Sequence, residues 1–211
     1  VKAKATLLLL GLLASSLAWG GDDPLAGLRS AEENERYRAI TGLMWGWHKQ
    51  TPAVQRVAIP ELRRLVERPL GDVTRNRAAF ALGELVRVHS STLAFDHLHD
   101  LLQRPDPRTY QLAAGEIARV GSRAAPALPT LERRLVARPR RCADVEVAFA
   151  LQRVGGDQPR AREALLHALR EAPRVRVRKW AAGRLGDLYD ANEPARAGVA
   201  GVVSELRRAA G

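Results

Sequence analysis

Residues 106–139 read DPRTYQLAAGEIARVGSRAAPALPTLERRLVARP, and the fold follows from this stretch. Asp106 followed by Pro107 is a helix start. The carboxylate accepts from the first-turn N–H groups, and proline stands where an N–H has no intrahelical partner. The run YQLAAGEIARVG then places alanine and glycine where helix backbones must approach closely. A second helix is expected from Ala125-Pro126 through LERRLV, with Pro129 kinking or shortening it. The stretch closes on VARP at Pro139.

The same punctuation recurs on both sides. Prolines close units at Pro69, Pro105, Pro139 and Pro173, with gaps of 36, 34 and 34 residues. An aliphatic position in each first helix falls at Leu43, Leu82, Ile117, Leu151 and Leu185, with gaps of 39, 35, 34 and 34. Two independent markers in one period of this size indicate stacked helical hairpins. Second helices are expected to open at Pro52, Pro126, Pro159 and Pro194, with Pro60 kinking or shortening the first of these, and Asp72, Asp106 and Asp144 to cap three first helices. Ser30 and Glu33 read as a capping box that starts the array. Strict apolar–polar alternation is rare, so no strand is expected. The expected fold is all-α: a right-handed α-solenoid of about five hairpins over residues 33–211, with Leu65, Leu101, Leu135 and Leu169 buried where hairpins meet.

A period near 34 also occurs in tetratricopeptide and ankyrin arrays, but the aromatic positions of the former and the TPLH-like turn of the latter are missing. The aliphatic–glycine pairs Leu82-Gly83, Val120-Gly121, Val154-Gly155 and Leu185-Gly186, with the PALPTL segment, resemble HEAT repeats of the short bacterial kind. The resemblance implies armadillo-like helical hairpins and a scaffold that mediates protein–protein interaction. It leaves the partner open, because such arrays serve many roles.

Residues 1–20, VKAKATLLLLGLLASSLAWG, pair Lys2 and Lys4 with a short leucine run and trailing small residues, as secretory signal peptides do. Cleavage is expected after Ala18 or Gly20, placing the mature protein in the periplasm or outside the cell. Residues 21–32 read as a flexible leader. The lone Cys142 excludes an intramolecular disulfide, so the fold must stand on packing.

Motifs for catalysis are missing. There is no HExxH, GxSxG, CxxC or phosphate-cradling glycine loop, and no cofactor is expected. Asp96, His99 and Asp100 share a helix face and form a candidate metal trio, although a solvated face explains the same residues. HEAT-like DNA glycosylases offer an enzymatic alternative, since the chain is basic and carries Trp45, Trp47 and Trp180; an export signal argues against a nucleic-acid partner. The expectation is a non-enzyme.

The formal net charge of +11 is almost entirely arginine. Six residues before the closing prolines stand Arg63, His99, Arg133 and His167, joined by Arg207 through the match of SELRRAAG to PELRRLVE. Arg64 and Arg134 follow one residue later. In HEAT-type arrays second helices line the concave face, so these side chains are expected to form a basic groove for an acidic protein partner. Anionic envelope material, lipid headgroups or wall polymer, is the alternative occupant.

Overall fold

The structure is a computed structural model that describes residues 25–68, 71–155 and 158–190. Residues 1–20, expected to be a signal peptide, lie outside the described residues, as do Pro69, Pro194 and Arg207. Among those described the fold is all-helical, with no strand. Nine α-helices follow one another among the described residues: α1 Glu33–Gly46, α2 Pro52–Glu67, α3 Asp72–His89, α4 Thr92–Gln103, α5 Pro107–Val120, α6 Leu128–Arg134, α7 Cys142–Gly155, α8 Pro159–Glu171 and α9 Val175–Asp190. The chain divides into two compact units, Val1–Ala81 and Leu82–Gly211, with the boundary inside α3.

In the first unit, α1 and α2 are joined through a 3-10 turn at Trp47–Lys49 that buries Trp47. Thr51 caps α2 by accepting from Val54 N–H at 3.3 Å, with Pro52 in the first turn. Pro60 lies inside α2 on an exposed position, and the helix runs through it unbroken. Two expectations are corrected here. Glu33 is the first residue of α1, not its third, so it cannot complete a capping box with Ser30. Its carboxylate instead accepts from the backbone N–H and hydroxyl of Thr74, both at 3.3 Å, at the start of α3. And within the segment expected to be a flexible leader, Ala26–Arg29 forms a 3-10 turn against α1, with Leu25 and Leu28 buried as its apolar anchors.

In the second unit, α5, α7 and α9 pack side by side, while α4, α6 and α8 each pack on a neighbour in that row. The aliphatic markers of the first helices are all buried, Leu43 at 2% exposure in the first unit and Leu82, Ile117, Leu151 and Leu185 at 1% or less. Each such side chain contributes roughly 1.5–3 kcal/mol relative to exposure. Asp106 caps α5 through Thr109, accepting from its N–H at 2.8 Å and its hydroxyl at 2.6 Å. Asp144, expected as a cap, lies in the first turn of α7 because the helix starts earlier, at Cys142. It accepts from the N–H groups of Arg140 and Arg141 and from the Tyr110 hydroxyl at 2.9 Å.

Several hydrogen bonds join residues one sequence period apart. Tyr110 to Asp144 and Trp180 to Glu146 span 34 residues, Arg119 to Glu84 spans 35, and Arg123 to the Arg87 carbonyl spans 36.

Leu65, Leu101 and Leu169 are buried, but Leu135 is only half-buried. After α5, Gly121 takes φ 71° and ψ −144°, and the chain continues as a 3-10 segment, Gly121–Ala127. Pro126 and Pro129 leave only seven residues for α6, so Leu135 falls beyond its last turn. Leu131 and Ala127 fill the core instead.

Candidate functional site

The basic positions on the second helices are each held locally. In the first unit, Arg63 on α2 reaches Glu67 at 3.2 Å, and Arg64 reaches Glu61 at 2.7 Å. Glu61 also takes Arg29 at 3.2 Å; partial burial works to raise its pKa, but the hydrogen bonds and charges of Arg64 and Arg29 outweigh this and hold it below the usual value. In the second unit, His99 and Arg133 come together on one hydroxyl. His99 Nε2 shares a 2.8 Å hydrogen bond with Thr130 Oγ1, and Arg133 donates to the same oxygen at 3.0 Å. The imidazole stacks on Phe95, and among the described residues Asp96, His99 and Asp100 do not form a group placed to hold a metal ion. Arg134 donates to the Arg104 carbonyl at 2.7 Å and lies 4.5 Å over the Tyr110 ring. His167 pairs along its own helix with Glu171 at 3.2 Å, and its buried Nδ1 has no partner.

A hollow of about 390 Å³ opens on the first helices, on α5, α7 and α9. Its deepest charged group is Glu146 on α7, 1% exposed. Trp180 donates its indole N–H to Glu146 Oε2 at 2.8 Å, and Arg184 Nε donates to the same oxygen at 3.0 Å. Arg184 Nη2 lies 2.9 Å from Oε1 but outside hydrogen-bonding direction, so Oε1 has no donor. The Arg184 guanidinium is stacked between Phe149 at 4.8 Å and Trp180 at 5.1 Å, and its Nη1 reaches Asp187 at 2.8 Å. Burial pushes the Glu146 pKa up despite Arg184 and Trp180, which favour the charged form.

Glu116, across the hollow on α5, behaves the same way. Arg119 meets it at 2.6 Å, yet burial, helped by the charges of Glu84 and Glu146, raises its pKa to about 7. Arg119 is shared with Glu84, which also holds Arg87 at 2.6 Å. Glycines make room for these carboxylates. A Cβ at Gly83 would stand 2.3 Å from Glu116 Oε2, and one at Gly115 would stand 3.2 Å from Glu146 Oε1. On the rim lies Arg153, exposed to solvent.

The basic second-helix residues were found from sequence by counting back from the prolines; the hollow was missed. Its one signal was a single carboxylate inside the apolar run VEVAFAL, residues 145–151. Of the tryptophans, Trp180 lines the hollow, Trp47 is buried in the first unit, and Trp45 is 72% exposed there. Among the described residues no group of three or more His, Cys, Asp or Glu side chains is placed to hold a metal ion, and no helix is long and apolar enough to cross a membrane. No family model, curated protein or solved structure matches the chain.

Proposed function

We propose that the protein is an exported, non-catalytic HEAT-type solenoid of about five hairpins that binds an acidic protein partner through basic side chains on its second helices. The observation that carries this reading is the meeting of His99, on α4, with Arg133, on α6, at the Thr130 hydroxyl. Two successive hairpins thus present a basic or protonatable group to one point, and Arg133 is solvent-exposed there. The one-period hydrogen bonds between first helices support the repeat architecture, because neighbouring units of a solenoid touch at equivalent positions.

The test uses two probes, a fluorescent polyglutamate peptide and vesicles of anionic phospholipid. The wild-type protein is expected to bind the peptide with an affinity that falls as salt rises. Arg63→Gln, Arg133→Gln and Arg207→Gln together should abolish that binding without changing the helical circular-dichroism spectrum. Binding to vesicles but not to peptide would replace the protein partner by an anionic surface. Full-affinity binding by the triple variant would refute the basic positions as the contact.

A further inference from the structure

We infer that the edge of the second unit where α7 and α9 begin docks on an anionic phospholipid surface, with arginines at the headgroup phosphates and Val136 and Val175 in the apolar layer beneath. None of the basic second-helix positions takes part, so the inference stands whether or not those bind an acidic partner.

The starts of α7 and α9 lie side by side. Trp180, sixth in α9, donates to Glu146, fifth in α7, and the two helices pack along one another. The turns that lead into them, 135–141 and 172–174, therefore stand about one helix-packing distance apart, ~10 Å.

The charge on this edge is of one sign. Arg138, Arg140 and Arg141 on the first turn, and Arg174 and Arg176 at the second, are all exposed. The stretches 135–144 and 172–178 hold a single carboxylate, Asp144. Its oxygens accept from the backbone N–H groups of Arg140 and Arg141 and from the Tyr110 hydroxyl. On the helix faces of this unit the pattern is different. Arg87 meets Glu84, Arg119 meets Glu116 and Arg184 meets Asp187, each within one helical turn. An arginine-rich composition spread evenly would bring carboxylates to the turns as it does to the helices. A guanidinium fork matches phosphate oxygens bidentately, so headgroup phosphates suit these side chains.

The apolar side chains separate a lipid surface from a soluble polyanion. Val136 is 43% exposed and Val175 is 51% exposed; among the described residues of this unit, Val88 is the one other large apolar side chain so exposed. Val136 stands two residues before Arg138, and Val175 lies between Arg174 and Arg176, so apolar and basic groups share one strip. An acidic peptide chain offers the charge but no apolar layer behind it, whereas an anionic bilayer supplies both.

Sedimentation with phosphatidylcholine vesicles, with and without phosphatidylglycerol, tests the assignment. The wild-type protein should bind the phosphatidylglycerol vesicles at low salt, bind them less as salt rises, and leave phosphatidylcholine alone unbound. An arginine near such a surface is worth about fivefold in partitioning, so Arg138→Gln, Arg140→Gln and Arg141→Gln together should weaken binding about a hundredfold. Val136→Ser with Val175→Ser should weaken it about tenfold and leave binding of a polyglutamate peptide unchanged. All five side chains are exposed, and both variants should keep the wild-type circular-dichroism spectrum. The protein carrying Arg63→Gln, Arg133→Gln and Arg207→Gln should still sediment with the vesicles, which separates this edge from the second-helix positions. No binding to phosphatidylglycerol vesicles, equal binding with and without that lipid, or vesicle binding lost with Arg63, Arg133 and Arg207 instead would each overturn the assignment. So would an edge-arginine variant that binds like wild type. A valine variant that binds like wild type would overturn it too, leaving a soluble polyanion as the occupant.

Discussion

Replacing Glu116 by glutamine should stabilise the protein, and by an amount that depends on pH. The carboxylate ionises near 4.5 in an unfolded chain and at about 7 in the fold, where its side chain is only 13% exposed. Below the unfolded value both states are protonated and the group costs nothing. As pH rises from there toward 7 the folded state keeps a proton that the unfolded state has lost. Stability therefore falls across that window and levels off above it. Each pH unit of separation is worth about 1.4 kcal/mol, so the full effect is about 3 kcal/mol. Glutamine is neutral at every pH and keeps a carbonyl for Arg119, so it matches the protonated acid. In urea titrations followed by circular dichroism, the stability of Glu116→Gln minus that of wild type should be near zero at about pH 4 and reach about 3 kcal/mol at about pH 8. Taking the difference cancels the titrating groups remote from Glu116, whereas Glu84 and Glu146, whose charges act on it, contribute to the measured slope. A difference that stays flat with pH would refute the dominance of burial. One that turns negative as pH rises would show that the Arg119 ion pair, at 2.6 Å, outweighs desolvation.

Leu101→Ala should cost about 2–5 kcal/mol in the same assay, whereas Leu135→Ala, at a half-buried site, should cost clearly less; equal losses would mean that α6 runs further than its seven residues. Gly121→Ala should cost about 1–3 kcal/mol, since φ 71° with ψ −144° is a conformation that side chains resist; a neutral change would place the strain elsewhere. Intact-mass measurement of protein from the envelope fraction should find a terminus at Trp19 or Gly21, and an uncut chain in the cytosol would remove the export proposal.

The helices were legible wherever a local rule decides them. Asp106 with Pro107, and Thr51 with Pro52, announce helix starts through side-chain chemistry within four residues. Leu82, Ile117, Leu151 and Leu185 recur because equivalent helices bury the same face. What the sequence did not yield depends on how far each helix runs and how closely its neighbour stands. Counting back from a proline treats all second helices as alike. Yet Arg63 lies four residues before the end of α2 and Arg133 one before the end of α6, after two prolines and a 3-10 segment have used up the length. The hollow was hidden for a related reason. Glu146 meets Gly115, Trp180 and Arg184 across separations of 31, 34 and 38 residues, and no single period gathers all three.

The hydrogen bonds that span one period give the second unit a direction. Tyr110 on α5 takes Asp144 from α7, and Glu146 on α7 takes Trp180 and Arg184 from α9. A chain cut after α8 would strip Glu146 of its indole and guanidinium together and open to water a carboxylate that is 1% exposed in the whole fold.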